Sequence, residues 1–328
     1  MIRPMRPLAA LSLLAAACAV ALPAQAQPAT PTATAPKLKR INRAIELLEQ
    51  GQPIYYAQIS GGGYDEGKRM AATKADYITY EMEHGALDFA ALRAFMRGLV
   101  DAGPTRTGHR TPTVIVTLPI AGSDAASLKA NVWMVQQTLA AGVHGILLCQ
   151  AEAPDAVKVF VEATRYPFAP EAPGLEVGKR GAGSQGFAAQ IWGLSQNEYL
   201  RRADAWPLNP DGEIMLGIKI ENPRATARAE ELTRVPGLTF AEWGPSDQAF
   251  YLIGRPSGQG GDIARHPAMV ATRARVLAAT KAAKIRFLNS CNEADVVDQL
   301  KDGVMICTGG DTPAADKGRA YTRRPQPW

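Results

Sequence analysis

MLGIKIENPRATARAEELTRVPGLTFAEWGPSD, residues Met215 to Asp247, decides how the rest of this 328-residue chain is read. Residues 214–220 are an apolar run of strand character that stops at Glu221. A short helical segment follows, and residues 238–243 form a second apolar run that ends in Gly244-Pro245-Ser246-Asp247. Two consecutive strands joined through a helix run parallel, so each delivers a carboxylate at or just past its carboxyl end. At that edge parallel α/β proteins gather their functional groups. Two hard oxygen ligands with the other positions open suit Mg²⁺ or Mn²⁺, completed by water and substrate, and Co²⁺ is a further candidate. Glu221 and Asp247 are therefore the candidate metal ligands. The competing reading makes both acids helix caps, Glu221 ahead of Asn222-Pro223 and Asp247 ahead of the next helix.

The same alternation repeats on either side of this stretch. Strands are expected at 54–59, 76–81, 113–118, 145–149, 285–288 and 304–308, besides the two above. Helices are expected at 37–50, 87–100, 124–141, 154–165, 267–284 and 293–301. Apolar, non-alternating strands separated by helices predict parallel pairing with the helices outside. Eight such strands predict closure into a (β/α)8 TIM barrel, a single α/β domain over 41–328. Residues 166–210 are rich in Gly and Pro and receive no assignment. No GxGxxG loop follows a strand, which removes a dinucleotide fingerprint.

The composition is that of an ordinary globular protein, 46% hydrophobic and 20% charged. Arg3 and Arg6, an apolar run over 8–22 and Ala24-Gln25-Ala26 read as a secretory signal over 1–26, and residues 27–40 read as a disordered leader. The apolar run is too short for a comfortable membrane span. Export, to the periplasm or the medium, is expected. A lipid anchor at Cys18 is the lesser alternative. Losing two arginines with the signal lowers the formal charge from +5 to +3, and no basic cluster speaks for nucleic acid. Cys149, Cys291 and Cys307 remain. They read as buried small hydrophobes more than as a disulfide framework, with a Cys291–Cys307 bridge left open.

Several motifs then line up in order. They are Glu81-Met82-Glu83-His84, Ala163-Thr164-Arg165-Tyr166-Pro167, Lys179-Arg180-Gly181-Ala182-Gly183, Ile220-Glu221, Gly244-Pro245-Ser246-Asp247 and Gly310-Asp311-Thr312. In these the chain resembles the HpcH/HpaI aldolase/citrate lyase family, metal-dependent class II pyruvate aldolases, over about residues 50 to 312. The resemblance implies a (β/α)8 barrel, a homo-oligomer, and a divalent metal on Glu221 and Asp247. It implies making or breaking a C–C bond next to a pyruvate unit of a small acidic substrate, through a metal-stabilised enolate. It casts His84 as the group that takes the proton of the 4-hydroxyl and Glu81 as the acid that orients it. It gives Gly181, Ala182 and Gly183 as a loop whose N–H groups hold the substrate carboxylate, and Trp192 as an aromatic near the mouth. Helix starts, surface turns and core packing are the plainer readings of these same residues.

The chain also departs from the family. Thr117 stands where the resemblance implies an Arg that would bind the keto oxygen, and a hydroxyl lacks the fixed positive fork of a guanidinium. Lys219 lies two residues before Glu221 on the same strand, so period-two alternation turns both side chains inward. It is a candidate replacement cation, with a purely structural ion pair to Glu221 as the alternative. The segment 168–177 reads as an insertion beside the mouth, and the apolar last helix of the family is not evident after Thr312. Two other functions therefore stay open: a metal-dependent lyase with altered chemistry or an aromatic substrate, and a periplasmic protein that binds a small molecule without turning it over.

Overall fold

Each strand of the ring lies between two parallel neighbours, and the last pairs with the first. The computed structural model describes residues 39–254 and 263–325. The expected signal, its cleavage site and nearly all of the leader fall outside the described residues. The barrel strands are β1 (Ile54–Ile59), β2 (Tyr77–Glu81), β3 (Thr113–Ala121), β4 (Gly145–Cys149), β5 (Ile214–Ile220), β6 (Phe240–Trp243), β7 (Arg286–Asn289) and β8 (Val304–Thr308). They pair in sequence order, and β8 returns to β1, closing an eight-stranded parallel barrel with helices around it. The (β/α)8 TIM barrel read from the sequence is the fold.

The interior is layered by side-chain alternation. Tyr56, Tyr77, Ile115, Leu147, Met215 and Phe240 fill the lower layers. Gly217 has no room for a side chain, because a Cβ there would lie 2.2 Å from the Phe240 ring. Above that contact the inward positions turn polar, with Glu81, Thr117, Lys219 and Glu242. A short helix, Arg43–Glu49, closes the amino-terminal end, and Ala44, Ile45, Leu47 and Leu48 join the lower layers. It begins later than expected because the Asn42 side chain caps it, accepting from the N–H of Ala44 at 3.0 Å and of Ile45 at 3.3 Å. Burying Ile45 and Leu48 contributes roughly 1.5–3 kcal/mol each.

Three expectations need correction. The unassigned stretch contains two helices, Gln185–Trp192 and Gln196–Arg202, and a two-residue strand, Ala205–Trp206, that pairs with β5 outside the ring. A last helix does exist. Pro313–Tyr321 packs on its own barrel: the Arg319 guanidinium donates to Lys74 O at 2.7 Å, and Arg324 to Asp76 at 2.6 Å, both over the Tyr55 ring. It was hidden in the sequence because its inward face is built from Ala, Gly and Arg. Cys291 and Cys307 are bridged, joining the loop after β7 to β8, while Cys149 is free and buried. No helix among the described residues is long and apolar enough to cross a membrane.

Candidate functional site

The mouth of the barrel is organised by the end of β5. Glu221 follows the last strand residue, is 1% exposed, and accepts the N–H of Gln150 at 2.7 Å. Burial pushes its carboxyl up to about 8, with Lys219 opposing and Glu83 and Glu242 reinforcing the rise. The turn after β6 folds over it. A Cβ on Gly244 would lie 2.6 Å from Glu221 Cβ and 3.0 Å from its Oε2, so only glycine fits there. Three residues on, Asp247 stands half-exposed in the first turn of the helix Pro245–Ile253. Among the described residues its carboxylate makes no hydrogen bond or ion pair. Neither acid is a cap. Asn222 caps Pro223–Ala227 by accepting the N–H of Ala225, and Gly244 is the cap residue of Pro245–Ile253.

Lys219 is nearly buried, and its ammonium pairs with Glu83 of the loop after β2, 136 residues away in the chain. The alternative of a structural pair with Glu221 is therefore not what forms. Burial alone would lower the Lys219 pKa, but Glu242, Glu221 and Glu83 outweigh it and hold the charge firmly. A lysine fixed as ammonium is no Schiff-base nucleophile. Glu242 lies level with Lys219 in the parallel register, and burial raises its carboxyl too, against Lys219 and with Glu83, Glu81 and Asp247. Cys149 sits in the same layer, and burial keeps its thiol protonated.

Glu81 is buried, and its Oε1 accepts the N–H of Glu83 at 2.6 Å and of His84 at 3.3 Å. It holds the turn that carries His84. The His84 ring is 68% exposed, with Nδ1 3.9 Å from Glu81 and 3.8 Å from Glu83. It is free to meet a ligand from the solvent side. Thr117 pairs with Glu81 in register, is buried, and its hydroxyl has no hydrogen-bond partner. Glu81, Glu83 and His84 could themselves gather around a cation, with ligand atoms within 4.8 Å of one another. The Lys219 ammonium on Glu83 and the two N–H groups on Glu81 argue against that placement. Among the described residues the mouth sets Glu81, Glu83, Glu221, Glu242 and Asp247 against one lysine. A divalent cation fits that imbalance.

Two expected binding elements lie elsewhere. Gly181, Ala182 and Gly183 line a cavity of about 400 Å³ on the outer wall, with Arg93, Gln136 and Ala140. Gln136 and Ala140 belong to the carboxyl end of the helix Ala125–Ala140, which runs down from β3. The loop thus lies against the outer helices. Trp192 is buried at the amino-terminal side, where its indole N–H donates to Gly142 O at 2.8 Å and its ring stacks on His144. It is a core residue. Conversely, sequence reasoning passed over Glu83 and Glu242 as parts of the site. The signal for Glu242 was present: period-two alternation along the strand sets it on the face opposite Ala241.

No family model matches the chain. Curated relatives are hydroxypyruvate/pyruvate aldolases. That of Sagittula stellata is 26% identical over 221 residues, 66% of this chain and 73% of the relative. That of Delftia acidovorans is 27% identical over 169 residues, 52% of this chain and 55% of the relative. That of Deinococcus radiodurans is 30% identical over 152 residues, 46% and 48%. The chain thus spans about half the length of two of these relatives. Among solved structures, an HpcH/HpaI aldolase/citrate lyase family protein from Burkholderia cenocepacia superposes with a TM-score of 0.63 at 23% identity, covering 87% of this chain and all of that one. An HpcH/HpaI aldolase from Desulfitobacterium hafniense gives 0.61 at 19%, covering 85% and 93%. At such identities the superpositions speak for the fold alone. In sequence the chain is similar to hydroxypyruvate/pyruvate aldolases, and in fold to HpcH/HpaI aldolase/citrate lyase family proteins.

Proposed function

We propose that this protein is a divalent-metal-dependent carbon–carbon lyase of the aldolase type, acting on a 2-keto acid or a related small acidic substrate. One observation carries the reading: buried Glu221 and Asp247, which has no partner among the described residues, come from adjoining staves joined by the Gly244 turn, amid an excess of acids. The names of the curated relatives support the same reaction class. A divalent cation on Glu221 and Asp247, Mg²⁺ or Mn²⁺ by the hardness of the oxygens, would act as a Lewis acid toward the keto and carboxylate oxygens of the substrate.

The remaining roles belong to the chain. Lys219, locked by Glu83, offers a fixed positive charge in the mouth and stands in for the Arg that Thr117 replaces. The Thr117 hydroxyl, lacking a protein partner, donates to a substrate oxygen. His84 takes the proton of the 4-hydroxyl from the solvent side, with Glu81 holding its backbone. The Cys291–Cys307 bridge supports export to an oxidising compartment.

The test is Mn²⁺-dependent pyruvate release from a panel of 4-hydroxy-2-keto acids, coupled to lactate dehydrogenase. Release that a chelator abolishes is the expected result. No release from any member, with tight metal-dependent binding of the same compounds, would make the protein a binding protein instead.

A further inference from the structure

One carboxyl in the mouth has no task in the reading above. Glu242 lies on β6, opposite Lys219 of β5 and Leu288 of β7. Its register partner Lys219 would be the natural counter-ion, yet that ammonium is taken by Glu83. Among the described residues Glu242 makes no hydrogen bond or ion pair, and it is partly open to the mouth. A carboxyl left unpaired inside a barrel is costly to keep unless a ligand uses it.

Three of the other acids already hold protein groups. Glu83 holds Lys219, Glu81 holds two backbone N–H groups, and Glu221 holds that of Gln150. Exposed His84 faces the solvent side, where the 4-hydroxyl end of a substrate would extend. What lacks a named group is proton traffic at carbon, deeper in the ring.

We propose that Glu242 takes and returns the proton at the carbon next to the substrate's keto group. This rests on the lyase reading of the site. With pyruvate, a C3–H bond breaks, the proton passes to a Glu242 carboxylate oxygen, and the bonding pair becomes the C2–C3 double bond. The negative charge then rests on the keto oxygen, on the side of Lys219. In the cleavage direction the same proton returns from Glu242 to C3 of the enolate and yields pyruvate.

The test follows deuterium exchange from solvent into the pyruvate methyl group by NMR with Mg²⁺ present. Calorimetric binding of oxalate, an enolate mimic with no C–H bond, serves as the independent readout. Glu242→Gln should bind oxalate within about threefold of wild type while exchange falls on the order of 10²-fold or more. Glu242→Asp should recover part of the exchange. Wild-type exchange by Glu242→Gln with oxalate binding intact overturns the assignment. Should Glu242→Gln fail to bind oxalate, Glu242→Asp decides: slowed exchange with oxalate bound supports it, and unslowed exchange overturns it. Wild-type protein that neither binds oxalate with Mg²⁺ nor exchanges would remove the lyase reading itself, and this assignment with it.

Discussion

At the amino-terminal end of the barrel, Ile45, Leu47 and Leu48 close the ring with side chains that need nothing but contact; at the carboxyl end, Glu81, Glu83, Glu221, Glu242 and Asp247 gather around Lys219. Both ends are desolvated, and each deals with it differently. At the floor, buried His144 gives up its charge. Its Nδ1 accepts the N–H of Val114 at 3.1 Å, and burial lowers its pKa to about 3. At the mouth, burial raises the carboxyls of Glu221 and Glu242 without pairing them off. The floor is finished by the chain alone, whereas the mouth is a set of charges that a cation and a ligand would complete.

The comparison can be broken by separating the two ends experimentally. The largest effect is expected at Lys219. Lys219→Met should lower turnover on the order of 10²–10³-fold while keeping the metal, by analogy with losing a preorganised oxyanion donor; unchanged turnover would take Lys219 out of the mechanism. Next, Ile45→Ala at the floor should cost roughly 2–5 kcal/mol in denaturant unfolding, with metal affinity unmoved. A change in metal affinity there would show that the two ends are coupled.

Glu221→Gln sharpens the contrast. The folded-state pKa of Glu221, about 8, lies above its ordinary 4.5, so the folded metal-free protein holds that proton more tightly than the unfolded chain. Stability then falls as pH rises from 4.5 to 8, and the amide removes the cost. Metal-free Glu221→Gln should melt above wild type at pH 8, and a lower melting point would contradict the buried-charge account. The smallest effect belongs to the floor. With its folded pKa near 3 and its ordinary value 6.5, His144 leaves the unfolded chain binding more protons between those limits. Stability should decline as pH falls from 6.5 toward 3, by at most about 1.4 kcal/mol per pH unit from this residue. His144→Asn should flatten that slope, and a parallel slope would assign the acid sensitivity elsewhere.

Much of the frame was legible because it is local. The apolar runs at β1, β4, β5 and β8 begin and end where their composition changes, and Glu221 and Asp247 are marked by strand ends and turn residues. What was missed depends on contacts across the ring. The Lys219–Glu83 pair spans 136 residues, and no local pattern announces it. Gly181-Ala182-Gly183 reads as an anion loop wherever it stands, and only the fold shows it on the outer wall. Trp192 followed the resemblance to the mouth, whereas its indole N–H was claimed by Gly142 below. The bridge between Cys291 and Cys307 closes on strand adjacency, which their spacing of 16 residues does not reveal.

The central claim is tested most directly by Mn²⁺ titration of metal-free protein, read by electron paramagnetic resonance, for wild type, Glu221→Gln and Asp247→Asn. The account predicts one ion per wild-type chain and affinity weakened by more than about 100-fold in each variant, beyond what loss of a supporting outer contact would cause. An ion held equally well by both variants, or no ion held by wild type, would contradict it.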